Sequence, residues 1–214
     1  MSELTRQQLA NGEIRSVLAM PTELEWTDTQ LRQSLDATLE ARPDGPIWVF
    51  AYGSLIWNPL LEFAAQDIAT LDGWHRSFCL RTIAARGTPK HPGRVLGLEP
   101  RGTTQGVAYR LPEEQFQSEL RMLWAREMGS GVYRPTWGRL VLGSGEVASG
   151  IAFVVNTNQA LYEADTSAPT VIARAAKAVG AFGSNTDYIL KLADALHARG
   201  LSDPYVSEIA DALR

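Results

Sequence analysis

The chain has 214 residues, of which 45% are hydrophobic and 21% charged, and its formal net charge is −4. This composition is typical of a folded globular protein and excludes a disordered chain. No run of Lys or Arg offers the basic stripe that a nucleic acid or an anionic membrane surface would bind, so neither is an expected partner. A polar N-terminus, a single cysteine and the absence of an apolar stretch of about 18 residues predict a cytoplasmic protein without a disulfide.

Residues 1–46 are predicted to form an N-terminal helical extension. Thr27 and Asp28 can cap a helix in which leucine recurs at every fourth position and gives a narrow apolar stripe. Such a stripe is expected to pack against a larger body. The sequence Pro-Asp-Gly-Pro at residues 43–46 then breaks the chain, and residues 47–214 are predicted to form the main domain. The leucines of the stripe are Leu31, Leu35 and Leu39.

Six short segments rich in β-branched and aromatic residues predict strands, and Gly and Pro turns separate them. The first, at residues 47–52, is a continuous apolar run and is expected to be buried. The spacing favours a mainly antiparallel sheet that curls into a barrel. With its flanking helices, the predicted fold class is α+β, a small mixed, mainly antiparallel β-barrel. The other predicted strands lie at residues 74–80, 94–98, 106–111, 133–142 and 151–155.

Helices are predicted on both sides of the last two strands. One begins with Pro112 in its first turn and continues to about Met128, with Phe116, Leu120 and Leu123 on its apolar face. Three more helices are predicted after the last strand: at residues 169–179, from Ser184 up to Gly200, and from Asp203 onwards.

Glu127 continues the apolar face of the helix predicted over residues 112–128. Eleven residues separate it from Phe116, so at about 100° per residue the two side chains lie at nearly the same angle. A carboxylate on that face is partly desolvated, and this raises its pKa towards the range useful for proton transfer. Alternatively, the face runs out into solvent, or Glu127 pairs with a cation such as Arg134. The flexible turn Gly129-Ser130-Gly131 favours a site, because sites are commonly built where elements meet.

The turn Tyr52-Gly53-Ser54-Leu55 follows the first predicted strand directly. Glycine permits positive φ, so successive backbone N–H groups can point at one anion or oxyanion. The turn matches neither a P-loop nor a nucleophile elbow, because it lacks the Lys-Ser/Thr ending of the one and the second glycine of the other. By itself the turn predicts either an ordinary connection or an anion-binding loop.

The remaining candidate residues favour neither metal nor thiol chemistry. His75, His91 and His197 form no ligand motif, so no metal and no other cofactor is expected. Cys79 lies about 13 Å from His75 along a predicted strand and is expected to pack as a small hydrophobe. Arg86, in a polar loop at residues 86–93, is either a clamp for a carboxylate or part of an exposed turn.

The segment Trp-Val-Phe-Ala-Tyr-Gly-Ser-Leu-Ile-Trp-Asn-Pro at residues 48–59 resembles the signature of the ChaC family, the glutathione-specific γ-glutamylcyclotransferases. The similarity continues in ordered segments to the C-terminus and leaves residues 1–46 uncovered. The sequence departs from the family at Ala51, where glycine is frequent, and at Arg81-Thr82, where the family is often aromatic or polar. The other matching segments lie at residues 73–80, 86–93, 95–98, 106–110, 124–128, 131–135, 152–155 and 185–188.

The resemblance implies a γ-glutamylcyclotransferase-like fold and a reaction that converts glutathione to 5-oxoproline and cysteinylglycine without a cofactor. It implies that Glu127 is the catalytic acid/base, that Tyr52, Gly53, Ser54 and Leu55 form the substrate-binding loop, and that Tyr133 lines the site. Because the attacking amine and the γ-carbonyl belong to one substrate molecule, correct folding of the substrate supplies much of the catalysis. Glutathione is the expected partner, and no obligate protein partner is predicted.

Two other functions are compatible with these residues. The substrate can be another γ-glutamyl peptide, amino acid or amine, recognised by the loop at residues 86–93. The chain can also be a non-catalytic binding or regulatory module. Retention of Glu127 argues against that alternative, because binding alone needs no poised base.

Overall fold

The computed structural model describes residues 4–214, and five strands in it close into a barrel. The strands are β1 (Trp48–Ala51), β2 (Ala65–Thr82), β3 (Gly93–Arg110), β4 (Tyr133–Leu142) and β5 (Val147–Val155). Their order around the barrel is β1-β3-β2-β4-β5, and neighbouring strands are antiparallel except β1 and β5, which are parallel. The predicted mixed, mainly antiparallel barrel is therefore confirmed.

The two longest strands, β2 and β3, form one hairpin that the sequence predicts only in pieces. The predicted strands at residues 94–98 and 106–111 are both parts of β3. Pro100 and Gly102 predict a turn between them, but Pro100 pairs with Trp74 of β2 and only the register shifts nearby. An irregularity of this kind lets a long strand bend around a barrel without ending.

Three α-helices precede the barrel within the described part of the chain. They are α1 (Arg6–Ala10), α2 (Ile14–Leu18) and α3 (Asp28–Glu40). The predicted cap of α3 is confirmed, since the Thr27 hydroxyl accepts a hydrogen bond from the Gln30 N–H. Leu35 of α3 is buried, and the Trp137 indole N–H of β4 donates to the Thr38 carbonyl at 2.8 Å. The helical extension predicted for residues 1–46 includes residues 1–3, which lie outside the described residues.

Helix α4 (Phe116–Glu127) connects β3 to β4 and carries Glu127 as its last residue. It begins later than predicted, because residues 112–115 form a turn before it instead of its first turn.

Helices α5 (Ala168–Ala175), α6 (Asn185–His197) and α7 (Pro204–Leu213) follow the last barrel strand. The first is shorter than predicted, because the chain leaves it for a two-residue ribbon, β6 (Val179–Gly180) with β7 (Gly183–Ser184). The predicted caps are confirmed: Ser184 accepts from the Asp187 N–H, and Asp203 accepts from the Val206 N–H. One cluster of buried side chains joins the barrel to α4, α6 and α7. No helix within residues 4–214 combines the length and the apolar character needed to cross a membrane.

Candidate active site

The turn at residues 52–55 begins directly after β1, but it does not use the positive φ that glycine permits. Gly53 has φ −132° and ψ −132°, and a single 3-10 turn, Ser54–Ile56, follows it. The Ile56 N–H closes this turn on the Gly53 carbonyl at 2.9 Å. Within residues 4–214, the N–H groups of Gly53, Ser54 and Leu55 have no acceptor. These three donors are therefore available to an anion without a left-handed backbone.

Glu127 lies at the C-terminal end of α4 with 15% of its side chain exposed. Its apolar neighbours on the same face, Leu120 and Leu123, are buried, so the helical periodicity correctly places the carboxylate at the edge of the core. The cation beside it is Arg126, whose Nε lies 3.0 Å from Glu127 Oε1, and not Arg134, which is exposed on β4.

Arg126 connects the Glu127 carboxylate to the turn at residues 52–55, the predicted substrate-binding loop. Its Nη2 donates to the Ser54 hydroxyl at 2.9 Å, and its Nη1 donates to the Asn58 carbonyl at 2.6 Å. The Arg126 side chain is 9% exposed, and these contacts hold its guanidinium in one geometry. Arg126 thus ties Glu127 of α4 to the turn after β1.

The electrostatics of the site follow from burial. Burial raises the pKa of Glu127 above that of an ordinary glutamate, while the Arg126 cation opposes part of this rise. Burial also raises the pKa of the Tyr52 and Tyr133 phenols, and it raises the pKa of Tyr188 to about 12. The carboxyl therefore titrates closer to neutral pH, and the three phenols remain uncharged hydrogen-bond donors.

Two adjoining cavities meet at Glu127. A small cavity of about 30 Å³ contains the carboxylate together with Tyr133 and all four residues of the turn, Tyr52, Gly53, Ser54 and Leu55. A larger cleft of about 230 Å³ shares Ser54, Glu127 and Tyr133 with it and is also lined by Arg86. Arg86 is buried, and its guanidinium lies 5.9 Å from the centre of the Tyr188 ring. The structure thus brings together every residue that the sequence predicts for the site, and Arg86 is not part of an exposed turn.

Tyrosine hydroxyls fix the wall of the small cavity. The Tyr52 hydroxyl donates to the Phe153 carbonyl at 2.6 Å, and the Tyr133 hydroxyl donates to the Leu96 carbonyl at 2.7 Å. Both phenols are thereby anchored to barrel strands, so that their rings have fixed positions beside the carboxylate.

Three residues of this region escape the sequence reasoning. Tyr188 lies on α6 and lines both cavities. Its sequence pattern does not indicate this, because an aromatic residue on an amphipathic helix is normally assigned to the hydrophobic core. Arg126 precedes Glu127 in the chain, and nothing in the periodicity marks it as a partner. Arg76 donates from Nε to the Tyr52 carbonyl at 2.7 Å and pairs with Asp203 at 3.1 Å. No local signal could reveal that contact, because the paired residues are far apart in sequence.

Cys79 is fully buried and packs in a second apolar cluster with Leu80 and Val132, as predicted for a small hydrophobe. His75 is exposed, and its Nδ1 lies 3.1 Å from the Arg101 carbonyl. Among the described residues, no three His, Cys, Asp or Glu side chains gather in a group that could hold a metal ion.

Comparisons with known proteins show the family and the fold class of the chain. A family model described as ChaC-like protein matches residues 47–214. The glutathione-specific gamma-glutamylcyclotransferase of Escherichia coli (strain K12) is 47% identical over 191 residues, which are 88% of this chain and 83% of the relative. The human glutathione-specific gamma-glutamylcyclotransferase 1 is 37% identical over 89 residues, which are 41% of this chain and 40% of the relative.

The crystal structure of a glutathione-specific cyclotransferase from yeast has the same fold, with a TM-score of 0.72. It is 22% identical to this chain and covers 79% of it, and the match covers 96% of the yeast chain. At this level of identity the likeness concerns the fold alone.

Proposed function

The chain belongs to the ChaC-like family, and on that premise we propose that it is a glutathione-specific γ-glutamylcyclotransferase with Glu127 as its acid/base. It would convert glutathione to 5-oxoproline and cysteinylglycine. In this proposal residues 47–214 form the catalytic domain and residues 1–46 its N-terminal extension. The cytoplasmic location predicted from the sequence is part of the same proposal.

The position of Glu127 carries the proposal. It is a largely buried carboxylate with a raised pKa, and it lies between a small cavity and a larger cleft. A base for an amine must sit beside the reacting atoms and must hold the transferred proton while the ring closes, and the raised pKa of Glu127 favours the second property. A binding site for a neutral peptide would gain nothing from a desolvated carboxylate.

The reaction requires one proton to move between two nitrogen atoms of the substrate. The α-amine of the γ-glutamyl group attacks its own γ-carbonyl carbon, and ionised Glu127 accepts the proton that the amine releases. A five-membered ring forms, the peptide C–N bond breaks, and protonated Glu127 returns the proton to the departing nitrogen. No water is consumed, so 5-oxoproline and cysteinylglycine account for all atoms of glutathione.

The surrounding residues have roles that follow from their chemistry. The N–H groups of Gly53, Ser54 and Leu55 bind the negatively charged oxygen atoms of the γ-glutamyl group, because they have no acceptor of their own within the described chain. Arg86 binds a carboxylate in the larger cleft. Tyr52 and Tyr133 form the wall that holds the folded substrate, which favours ring closure by orientation.

Incubation of the purified protein with glutathione tests the proposal. We expect 5-oxoproline and cysteinylglycine in equal amounts. Release of free glutamate would mean hydrolysis, and binding without any product would favour the non-catalytic alternative. A panel of γ-glutamyl compounds with other leaving groups, such as γ-glutamylalanine, would show whether another substrate is turned over faster than glutathione.

A further inference from the structure

Part of the larger cleft is lined by a segment that lies outside the matched family range. Ile14, Leu18 and Met20 line the cleft that contains Glu127, whereas the family model begins at residue 47. Ile14 is buried, and the other two side chains are half-buried at the cleft surface.

The segment is residues 4–20, and an ion pair holds it on α4, the helix that carries Glu127. The Arg6 guanidinium donates to both carboxylate oxygens of Glu119, at 2.6 and 2.8 Å, and also to the Leu60 carbonyl at 2.9 Å. The Glu119 side chain is 1% exposed, so its charge needs a cation in a fixed place. Glu119 lies on α4 about 12 Å from Glu127, since eight residues at 1.5 Å each separate them.

Further contacts hold the segment at its start and beyond its end. The Asn58 side chain donates to the Leu4 carbonyl at 3.2 Å, and Asn58 follows the turn at residues 52–55 by three residues. The Trp26 N–H donates to the Gly129 carbonyl at 2.8 Å, two residues after Glu127. The main domain is therefore bonded to the chain both before Ile14 and after Met20, which fixes the part of the segment that lines the cleft.

The groups that line the two cavities indicate which part of a substrate meets this wall. The small cavity is lined by Glu127 and by the turn at residues 52–55, whose N–H donors have no acceptor within the described chain, so the reacting amine and γ-carbonyl are placed beside it. The departing peptide then lies in the larger cleft of about 230 Å³. Its carboxylate can pair with Arg86, which leaves its side chain to face apolar surface.

We propose that Ile14, Leu18 and Met20 form a specificity wall, which limits the size of the side chain on the departing part of the substrate. The inference rests on the proposed function and adds a recognition element outside residues 47–214. An apolar wall discriminates by size because an enlarged side chain must displace it, and a single extra methylene group changes kcat/KM by about 10- to 200-fold.

The test compares glutathione with S-methyl and S-hexyl glutathione, which enlarge only the side chain of the departing peptide. Cyclisation of any of the three compounds would release 5-oxoproline, so one assay gives kcat/KM for each. In the variant with both Leu18→Ala and Met20→Ala, the ratio of S-hexyl glutathione to glutathione should rise about 10-fold or more. Leu18→Phe, which narrows the cleft, should lower the ratio for S-methyl glutathione. Leu24→Ala is the matched control, because Leu24 packs on the second apolar cluster and does not line the cleft.

Each outcome decides between the two proposals. No 5-oxoproline from any substrate with the wild-type protein rejects the proposed function itself. Normal turnover of glutathione with unchanged ratios in the Leu18 and Met20 variants rejects the specificity wall and leaves the proposed function intact. An equal rise in Leu24→Ala also rejects the wall, since it would reflect general loosening of the segment. Melting temperatures and the two single variants cover the case in which the double variant does not fold.

Discussion

Replacement of Glu127 by glutamine removes the proposed acid/base with little change of shape. In the wild-type protein the carboxylate accepts a hydrogen bond from Arg126 Nε at 3.0 Å. An amide oxygen can accept the same bond, and Arg126 keeps its bonds to the Ser54 hydroxyl and the Asn58 carbonyl. The substitution therefore changes the charge and the ability to transfer a proton, while the cavity walls stay in place.

The expected effects on activity and on stability differ. A positioned general acid/base contributes about 10²- to 10⁴-fold to the rate. This corresponds to about 3–5.5 kcal/mol of transition-state stabilisation. Burial raises the pKa of Glu127, so the folded protein disfavours the charged carboxylate. A neutral amide at this position should therefore not lower the free energy of unfolding or the melting temperature.

The assay is 5-oxoproline release from glutathione, measured as kcat and kcat/KM at a temperature well below the melting transition of both proteins. We expect Glu127→Gln to lose at least about 100-fold in kcat while it remains folded. Glutathione should still bind, because the turn at residues 52–55 and Arg86 are unchanged. A folded variant with kcat close to that of the wild type would refute the acid/base role.

Two further predictions concern Arg126, which pairs with Glu127, and the buried amide of Asn185. Arg126→Gln removes the cation that favours ionised Glu127, so the pKa of Glu127 rises and the fall of kcat/KM on acidification should begin at a higher pH. Arg126→Lys keeps the charge and should shift the pH profile less. Identical pH profiles for the wild type and both variants would contradict the coupling. Asn185 is fully buried; its Oδ1 accepts a hydrogen bond from the Arg94 N–H at 2.6 Å, and its Nδ2 donates to the Arg94 carbonyl at 2.7 Å. Asn185→Ala should therefore lower the free energy of unfolding by about 2–4 kcal/mol, measured by denaturant titration. The exposed control Asn158→Ala should lower it by less than about 0.5 kcal/mol.

Burial of Glu127 also has a consequence for stability. Its pKa is raised in the folded protein, so between the pKa of the unfolded chain and that of the folded protein the native state binds more protons. This contribution to the free energy of unfolding is therefore largest at low pH and is lost as pH rises through the folded pKa. Ionisation of Glu127 therefore opposes folding, which is consistent with a carboxylate retained for chemistry.

Local patterns in the sequence are sufficient for the elements that carry the site. The continuous apolar run predicts β1, the glycine after it predicts the turn, and the period of 3.6 residues predicts the position of Glu127 on the inward face of α4. The caps at Thr27, Ser184 and Asp203 are equally local, because each side chain accepts a hydrogen bond from the N–H three residues ahead.

The sequence alone predicts the bounds of β2 and β3 wrongly, because it shows only local preferences. Pro100 and Gly102 are turn residues by composition, yet β3 runs through them because it pairs with β2 on one side of an irregularity. The polar first half of β2 carries no buried-strand pattern, since many of its side chains face solvent. In both strands, cross-strand hydrogen bonds outweigh local propensity.

The sequence by itself determined the barrel class, the candidate base and the candidate loop, because these depend on short-range periodicity and on a family signature. Only the tertiary structure decided which groups surround them. Arg76 reaches the Tyr52 carbonyl across 24 residues, Tyr188 enters the site from α6, and Arg6 crosses 113 residues to Glu119. Such contacts depend on how elements pack in three dimensions, and no local pattern encodes them.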